Sequence, residues 1–179
     1  MKINSIAVFC GSKNGNNPVY AEHAAALGKM LAQNNITMVY GGGSNGLMGT
    51  IADAMMENGG HVTGIIPKIL LAWEHQHEGI TKLVITEDMH ERKKKMYELC
   101  EAAIILPGGF GTLDELFEML TWNQLSIHTK PIFILNSVGF FDYLISHIHQ
   151  LQQTGFLYEP TDKRMMFLKT PEELLAFLP

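Results

Sequence analysis

Short apolar runs rich in β-branched residues alternate along the chain with longer amphipathic segments. This alternation is typical of parallel strands that are joined by crossover helices. The predicted strands are Ser5 to Cys10, Thr37 to Tyr40, Val62 to Ile66, Lys82 to Ile85, Ala103 to Leu106 and Pro131 to Leu135. The predicted helices are Pro18 to Gln33, Leu47 to Asn58, Met89 to Glu101, Leu113 to Leu125, Phe141 to Gln152 and a short one from Pro171. We therefore expect an α/β fold with an open, mostly parallel sheet and helices on both faces.

The length of 179 residues fits one domain, and no internal repeat, low-complexity tract or linker divides the chain. The 46% apolar and 17% charged residues are ordinary for a chain that buries its own core. We expect a single domain over residues 1–179.

The formal charge of -5 argues against a surface that grips the backbone of DNA or RNA, so no nucleic-acid partner is expected. No apolar stretch reaches the 18 residues of a membrane span. Cys10 and Cys100 form no paired motif, which favours a reducing cytoplasm. The eight histidines lack the spacing of a metal site, so no metal is predicted.

Two glycine-rich loops each follow a predicted strand and precede a predicted helix. They are Gly41-Gly-Gly-Ser-Asn-Gly46 and Pro107-Gly-Gly-Phe-Gly-Thr112, and Gly11-Ser12 is a weaker third candidate. Glycine lets the backbone approach a ligand, and the unpaired N–H groups at a helix start attract anions. Such loops lie at the carboxyl edge of a parallel sheet, where ligands bind. The sequence predicts a phosphate-containing ligand, with Gly42, Gly43 and Ser44 among its contacts.

Two common phosphate sites are not indicated. The dinucleotide fingerprint needs an acidic residue at the end of the next strand, and Ile65-Ile66-Pro67 has none. No P-loop motif occurs either. Gly42-Gly-Ser-Asn-Gly46 also spells a nucleophile elbow, so an esterase that uses Ser44 is a third hypothesis for this chain.

Charged residues lie near the starts of the two predicted helices that follow the strands Lys82 to Ile85 and Ala103 to Leu106. Glu115 has two interpretations: a capping-box partner of Thr112, or a carboxylate one turn from a phosphate site. Asp88 is a predicted N-cap for the helix that carries Arg92 and Lys93. The helix dipole disfavours the four cations Arg92 to Lys95 near this helix start, so they form either a solvated basic face or, in the case of Arg92 and Lys93, contacts with phosphate.

Three motifs together closely resemble the LONELY GUY family of phosphoribohydrolases. They are Gly41-Gly-Gly-Ser-Asn-Gly-Leu-Met-Gly49, Met89-His-Glu-Arg-Lys93 and Pro107-Gly-Gly-Phe-Gly-Thr-Leu-Asp-Glu115, and the likeness continues through Thr121-Trp-Asn-Gln-Leu125 and Lys130-Pro131. The resemblance implies a Rossmann-like homodimer that cleaves cytokinin riboside 5'-monophosphates, and often AMP, to free base and ribose 5-phosphate without metal or cofactor.

The same resemblance assigns roles to single residues. It implies Arg92 and Glu115 as the catalytic pair. It implies ligand contacts at Glu74, Lys93, Gly108, Gly109, Phe110, Gly111, Thr112, Leu113, Asp114 and Thr121. Older labels call such proteins lysine-decarboxylase-like, but no lysine here has a recognisable context for a pyridoxal phosphate Schiff base.

Several alternatives stay open at this point. A module that binds a nucleotide without turnover fits the same fold, because fold does not determine function. The preferred base depends on pocket shape. If a dimer forms, we expect the helix around Met119 and Trp122 to contribute.

Overall fold

A computed structural model describes residues 3–71, 76–158, 160 and 165–178. Seven strands within these ranges form one sheet in the order β4-β3-β2-β1-β5-β6-β7, and every neighbouring pair is parallel. The strands are β1 Ser5–Phe9, β2 Thr37–Tyr40, β3 Val62–Pro67, β4 Lys82–Thr86, β5 Ala102–Ile105, β6 Ile132–Leu135 and β7 Met165–Leu168.

Five α-helices connect the strands: α1 Pro18–Gln33, α2 Gly46–Glu57, α3 Met89–Leu99, α4 Phe110–Gln124 and α5 Asp142–Gln153. Short 3₁₀ helices cover Lys68–Leu70, Ser137–Gly139 and Pro171–Phe177. None of the described helices is long and apolar enough to cross a membrane.

Helices cover both faces of the sheet, which confirms the predicted fold class. The alternating side chains of β1 show this division. Ile6 and Val8 belong to a core with α1 and α2, whereas Ala7 and Phe9 belong to a second core with α3, α4 and α5. Successive strand residues point to opposite faces of the sheet, and a layer of helices buries each face.

The predicted caps of two helices are confirmed. Asn17 Oδ1 accepts a hydrogen bond from the Val19 amide at 3.0 Å, directly before the proline that begins α1. Asp88 Oδ1 accepts from the Glu91 amide at 2.8 Å and caps α3. The second cap matters for the site because it sets where Arg92 lies on its helix.

The C-terminal segment differs from the prediction in two ways. Strand β7 was not predicted, because Met165-Met-Phe-Leu168 is short and contains no β-branched residue. The predicted capping box at Thr170 is wrong: Thr170 makes no side-chain cap bond, and Glu173 instead accepts from the Lys169 amide at 2.8 Å. The helix from Pro171 is of the 3₁₀ type.

The centre of the sheet positions the site. Strands β1 and β5 are neighbours, and the chain proceeds from them in opposite directions, through α1 to β2 and through α4 to β6. Connections that diverge from adjacent parallel strands leave a crevice beyond the carboxyl ends of those strands. The Gly11 amide donates to the Pro107 carbonyl at 3.0 Å and joins the two loops at this crevice.

Candidate active site

A cleft of about 250 Å³ occupies this crevice. Arg92 of α3 and Glu115 of α4 both line it, although 22 positions separate them in sequence. The rest of its lining includes Cys10, Gly11, Ser12, Gly41, Gly109, Phe110, Gly111, Thr112 and Asp114. The structure thus brings the predicted catalytic pair and the predicted Pro107–Thr112 loop to one space.

The first turn of α4 opens toward this cleft. The helix begins at Phe110 with Gly109 as its N-cap, and its first internal hydrogen bond runs from the Leu113 amide to the Gly109 carbonyl at 3.1 Å. The amides of Phe110, Gly111 and Thr112 have no hydrogen-bond partner among the described residues. Three unpaired N–H groups at the positive end of a helix dipole favour an anion at this position.

Two glycines of this turn are not required by protein packing. A methyl group added at Gly109 or Gly111 would meet no other atom within 4 Å, and neither residue has a positive φ. At Gly108, in contrast, a Cβ would overlap the side chain of Thr112. Because glycine inside a helix turn lowers stability, its presence at 111 suggests a ligand that approaches the backbone closely.

The Arg92 guanidinium is held by main-chain oxygens. Its side chain is buried, with 7% of the residue exposed, and Nε donates to the Ile65 carbonyl at 3.1 Å while Nη2 donates to the Gly41 carbonyl at 3.5 Å. Among the described residues no carboxylate lies within ion-pair distance of it. A buried cation that is paired only with dipoles favours an anionic ligand in the cleft.

Glu115 does not belong to a capping box. Because α4 begins at Phe110, Thr112 lies inside the first turn, and the N-cap Gly109 makes no side-chain cap bond. The structure therefore removes the capping interpretation and leaves Glu115 as a half-buried carboxylate in the cleft lining. The sequence misplaced the helix start because Gly-Phe-Gly has low helix propensity.

Cys10 lies beside Glu115 at the end of β1. Burial, and to a lesser extent the Glu115 charge, raise the pKa of the Cys10 thiol far above its ordinary value. The thiol is therefore neutral at physiological pH and forms an uncharged wall of the cleft. The raised pKa disfavours the thiolate, which is the nucleophilic form of cysteine.

The Gly41–Gly46 loop contributes to the cleft differently from the prediction. Of this loop only Gly41 is in the cleft lining. The amides of Leu47 and Met48, at the start of α2, both donate to the Gly11 carbonyl, at 3.1 and 3.4 Å. The N-terminus of α2 is therefore closed by protein and offers these two amides to no ligand.

The other predicted contacts in that loop lie away from the cleft. The Gly42 carbonyl accepts from the His77 amide at 2.9 Å, and Gly43 forms an isolated antiparallel bridge with Gln76. Ser44 is in neither of the two larger cleft linings. Ligand contacts from Gly42, Gly43 and Ser44 stay predictions.

The structure argues against an esterase that uses Ser44. Among the described residues His77 is the histidine beside this loop, and both of its ring nitrogens are engaged: Nδ1 accepts from the Gly79 amide at 3.1 Å, and Nε2 lies 2.9 Å from Asp53 Oδ1. A serine hydrolase needs a histidine nitrogen free to take the serine proton. His77 has none to offer.

The remaining predicted contacts fall in several places. Lys93 does not line the cleft but pairs with carboxylates of α4. Thr121 lies further along α4 and donates to the Phe117 carbonyl at 2.7 Å, and Leu113 packs partly buried against the core. Glu74 lies outside the described residues.

A second cleft of about 370 Å³ adjoins the first across Gly11, Ser12 and Gly109. Its walls include Tyr20, Leu47 and Phe140. The sequence signals for this region were Gly11-Ser12 and the start of the second glycine-rich loop, Pro107 to Gly109. Within the described ranges no group of three or more His, Cys, Asp or Glu side chains could hold a metal ion.

Comparisons with known proteins relate this chain to a family. A family model described as "Possible lysine decarboxylase" matches residues 48–178. The chain is 45% identical over 165 residues to a cytokinin riboside 5'-monophosphate phosphoribohydrolase of Arabidopsis thaliana, covering 92% of this chain and 77% of the relative. It is 43% identical over 173 residues to one of Oryza sativa subsp. japonica, covering 97% of this chain and 72% of the relative.

Solved structures share the fold at lower identity. A molybdenum cofactor binding protein of Rippkaea orientalis superposes with a TM-score of 0.72 at 20% identity, covering 99% of this chain and 96% of that chain. The molybdenum cofactor carrier protein of Chlamydomonas reinhardtii gives 0.72 at 17% identity, with coverage of 99% and 96%. At these identities the likeness concerns the fold alone.

Proposed function

The chain belongs to the LONELY GUY family of cytokinin riboside 5'-monophosphate phosphoribohydrolases, and from this membership we propose that it hydrolyses the N-glycosidic bond of nucleoside 5'-monophosphates. The products are a free base and ribose 5-phosphate. The substrates that we propose are cytokinin riboside 5'-monophosphates, AMP or both.

One observation carries the proposal: the cleft joins Arg92, Glu115 and the open first turn of α4. A 5'-phosphate bound at the amides of Phe110, Gly111 and Thr112 satisfies the charge preference of that helix end. Glu115 is three residues beyond Thr112, or about 5 Å along the helix axis. A sugar attached to the phosphate would thus extend toward the carboxylate.

The chemistry of N-glycoside cleavage fits a carboxylate at that position. The C1'–N bond breaks with both electrons leaving on the base, which gains a proton from solvent to become the free base, and positive charge develops on the sugar. Glu115 would stabilise that charge and take a proton from the water whose oxygen bonds to C1'. Arg92 would hold the nucleotide by its anionic groups, in a geometry fixed by the Ile65 and Gly41 carbonyls.

The second candidate is a nucleotide or cofactor carrier without turnover, since two neighbours of the fold are named as binding or carrier proteins. A carrier needs the anion site of α4 but has no use for a carboxylate beside the sugar. The position of Glu115 in the cleft therefore favours hydrolysis.

We also propose that the enzyme is a homodimer. The outer surface of α4 and the residues that follow it expose large apolar side chains, namely Phe110, Phe117, Leu125 and Ile127. Exposed patches of this kind mark association surfaces, and a second copy of the chain would cover this one. The surface lies on the helix that contains Met119, although the Met119 side chain itself is fully buried in the core.

The reducing cytoplasm is the compartment that we propose for the enzyme. Cys10 and Cys100 are both free and both buried. Proteins that work in oxidising compartments commonly depend on disulfides. We expect excess dithiothreitol to leave activity and the unfolding midpoint unchanged.

The proposed activity is tested by incubating the purified protein with AMP, and separately with isopentenyladenosine monophosphate, in ¹⁸O-labelled water. Hydrolysis predicts equal amounts of free base and ribose 5-phosphate, with one ¹⁸O at C1' of the sugar. Tight nucleotide binding without any free base would support the carrier instead.

A further inference from the structure

Lys93 is directed toward α4 rather than toward the ligand cleft. Its Nζ lies 2.7 Å from Asp114 Oδ2 and 3.4 Å from Glu118 Oε2, and only 15% of its side chain is exposed. Although burial acts to lower it, the two carboxylates raise the pKa of Lys93 above its ordinary value. The ammonium is therefore charged and already paired in the absence of ligand.

The ion pair joins the immediate neighbours of the catalytic pair. Lys93 follows Arg92 on α3, and Asp114 precedes Glu115 on α4. A change in the Lys93–Asp114 distance would therefore move the Arg92 and Glu115 backbones relative to one another. Rates of positioned reactions are sensitive to displacements of this size.

A narrow crevice lies behind Glu115, between Lys93, Tyr97, Glu118 and Phe9, and has no room for a water molecule. The Tyr97 hydroxyl is buried without a hydrogen-bond partner among the described residues, and Glu118 Oε2 is buried with the ion pair to Lys93 as its contact but with no hydrogen bond that satisfies it. Buried polar atoms without partners are costly, so most are paired in a working protein. Here a donor and an acceptor face the same small space.

Tyr97 is suited to donate in that crevice. Its ring is stacked on Trp122 with centroids 4.2 Å apart, which restricts how it can move. Burial, with smaller effects from Glu118 and other nearby acids including Glu115, raises the pKa of the Tyr97 phenol. The hydroxyl thus keeps its proton and can donate it in a hydrogen bond to a carboxylate.

We propose that Lys93, Tyr97, Asp114 and Glu118 form a network that positions Glu115 opposite Arg92, and that Lys93 and Tyr97 act through this network without touching the substrate. The inference rests on the proposed hydrolysis. It replaces the direct ligand contact that family resemblance implies for Lys93. Its consequence is that loss of Lys93 lowers turnover but not nucleotide affinity.

The test measures the effect of one substitution, Lys93→Met, in two backgrounds. Lys93→Met is compared with the parent in the wild type and in an Asp114→Asn/Glu118→Gln variant, in which the partners on α4 are uncharged. Turnover is measured as base release from saturating AMP. Affinity is measured by calorimetry with AMP in Glu115→Gln proteins, which bind without turning over. Lys94→Met is the matched control, because Lys94 is exposed and its one ion pair within the described part of the chain is with Glu98.

In the wild-type background we expect Lys93→Met to lower kcat by about tenfold or more and to change the AMP Kd by less than about threefold. In the background with uncharged partners the same substitution should change kcat by less than about threefold. Lys93→Arg should retain most turnover, Tyr97→Phe should lower kcat at unchanged affinity, and Lys94→Met should match the wild type.

Other outcomes overturn the inference. A rise in the AMP Kd of about tenfold or more, equal in both backgrounds, would make Lys93 a direct contact of the nucleotide. An unchanged kcat in a folded Lys93→Met protein would show that Lys93 has no positioning role. If Lys93→Met does not fold, a low kcat in Lys93→Arg would contradict the inference instead. If the wild type releases no base from either nucleotide, the proposed function fails and this inference fails with it.

Discussion

Gly41 and Arg92 approach so closely that any side chain at position 41 would overlap Nη2 of the guanidinium. The Gly41 carbonyl also accepts the hydrogen bond from that same nitrogen. Gly41, directly after β2, thus leaves room for the Arg92 guanidinium and orients it through the hydrogen bond to its carbonyl. This role differs from the phosphate contact that the glycine-rich sequence suggests.

Gly41→Ala is expected to reduce base release by about tenfold or more, because the added methyl displaces the guanidinium. The substitution should have little further effect on turnover in an Arg92→Ala background, where the guanidinium is gone. The comparison of the four proteins by steady-state kinetics measures this coupling. Equal losses in both backgrounds would mean that Gly41 acts on something other than Arg92.

Gly111→Ala is expected to have opposite effects on stability and on binding. The methyl group meets no protein atom, so alanine should stabilise α4 by up to about 1 kcal/mol. The same methyl enters the space proposed for the 5'-phosphate, so AMP affinity should fall by about tenfold or more. Urea unfolding and calorimetry measure the two effects.

Gly59→Ala is the matched control for that substitution. Gly59 also has open space around it, but its φ of 72° requires glycine at the end of α2. Alanine there should lower stability by about 1 kcal/mol and leave AMP affinity unchanged. If Gly111→Ala binds AMP as tightly as Gly59→Ala does, phosphate does not lie against the first turn of α4.

Six of the seven described strands and the five described α-helices could be predicted along the chain, because hydrophobic patterns record which faces are buried. The start of α4 could not be predicted, since Gly-Phe-Gly carries no helical signal and the turn after β5 determines where the helix begins. The capping interpretation of Glu115 depended on that start. Local sequence patterns do not predict which side chains of different helices and strands come into contact.

Lys93 and Met119 illustrate the same limit. The family resemblance implies a ligand contact for Lys93, and the helix around Met119 and Trp122 is expected to meet a second subunit. In the structure Lys93 pairs with α4, and Met119 is buried in the core beneath that helix. Helical spacing does not show in advance which direction faces solvent when apolar residues occur all round the helix, as they do on α4.

The two cysteines are expected to resist alkylation in the folded protein. Burial raises the pKa of both thiols, so little reactive thiolate exists at pH 8. Mass spectrometry after iodoacetamide treatment should find both unmodified in native protein and both modified in urea, with base release unaffected in the native sample. Rapid loss of activity on labelling of Cys10 would contradict its role as an inert wall.

The proposed dimer predicts a mass near twice the 20.0 kDa of one chain by light scattering. Leu125→Asp should shift the protein toward the monomer, because Leu125 is 65% exposed on the proposed surface. Tyr143→Asp is the control, since Tyr143 is exposed on α5, outside the proposed surface. A monomeric wild type, or equal effects of the two substitutions, would remove this surface as the interface.

Base release by Glu115→Gln, measured beside its affinity for AMP, tests most directly whether the cleft is a hydrolytic site. The amide keeps the size of the carboxylate but cannot stabilise positive charge or accept the proton of water. We expect kcat to fall by about 10²- to 10⁴-fold while the AMP Kd changes by less than about threefold. Base release at the wild-type rate by a folded Glu115→Gln protein would contradict the assignment of Glu115 as the catalytic carboxylate.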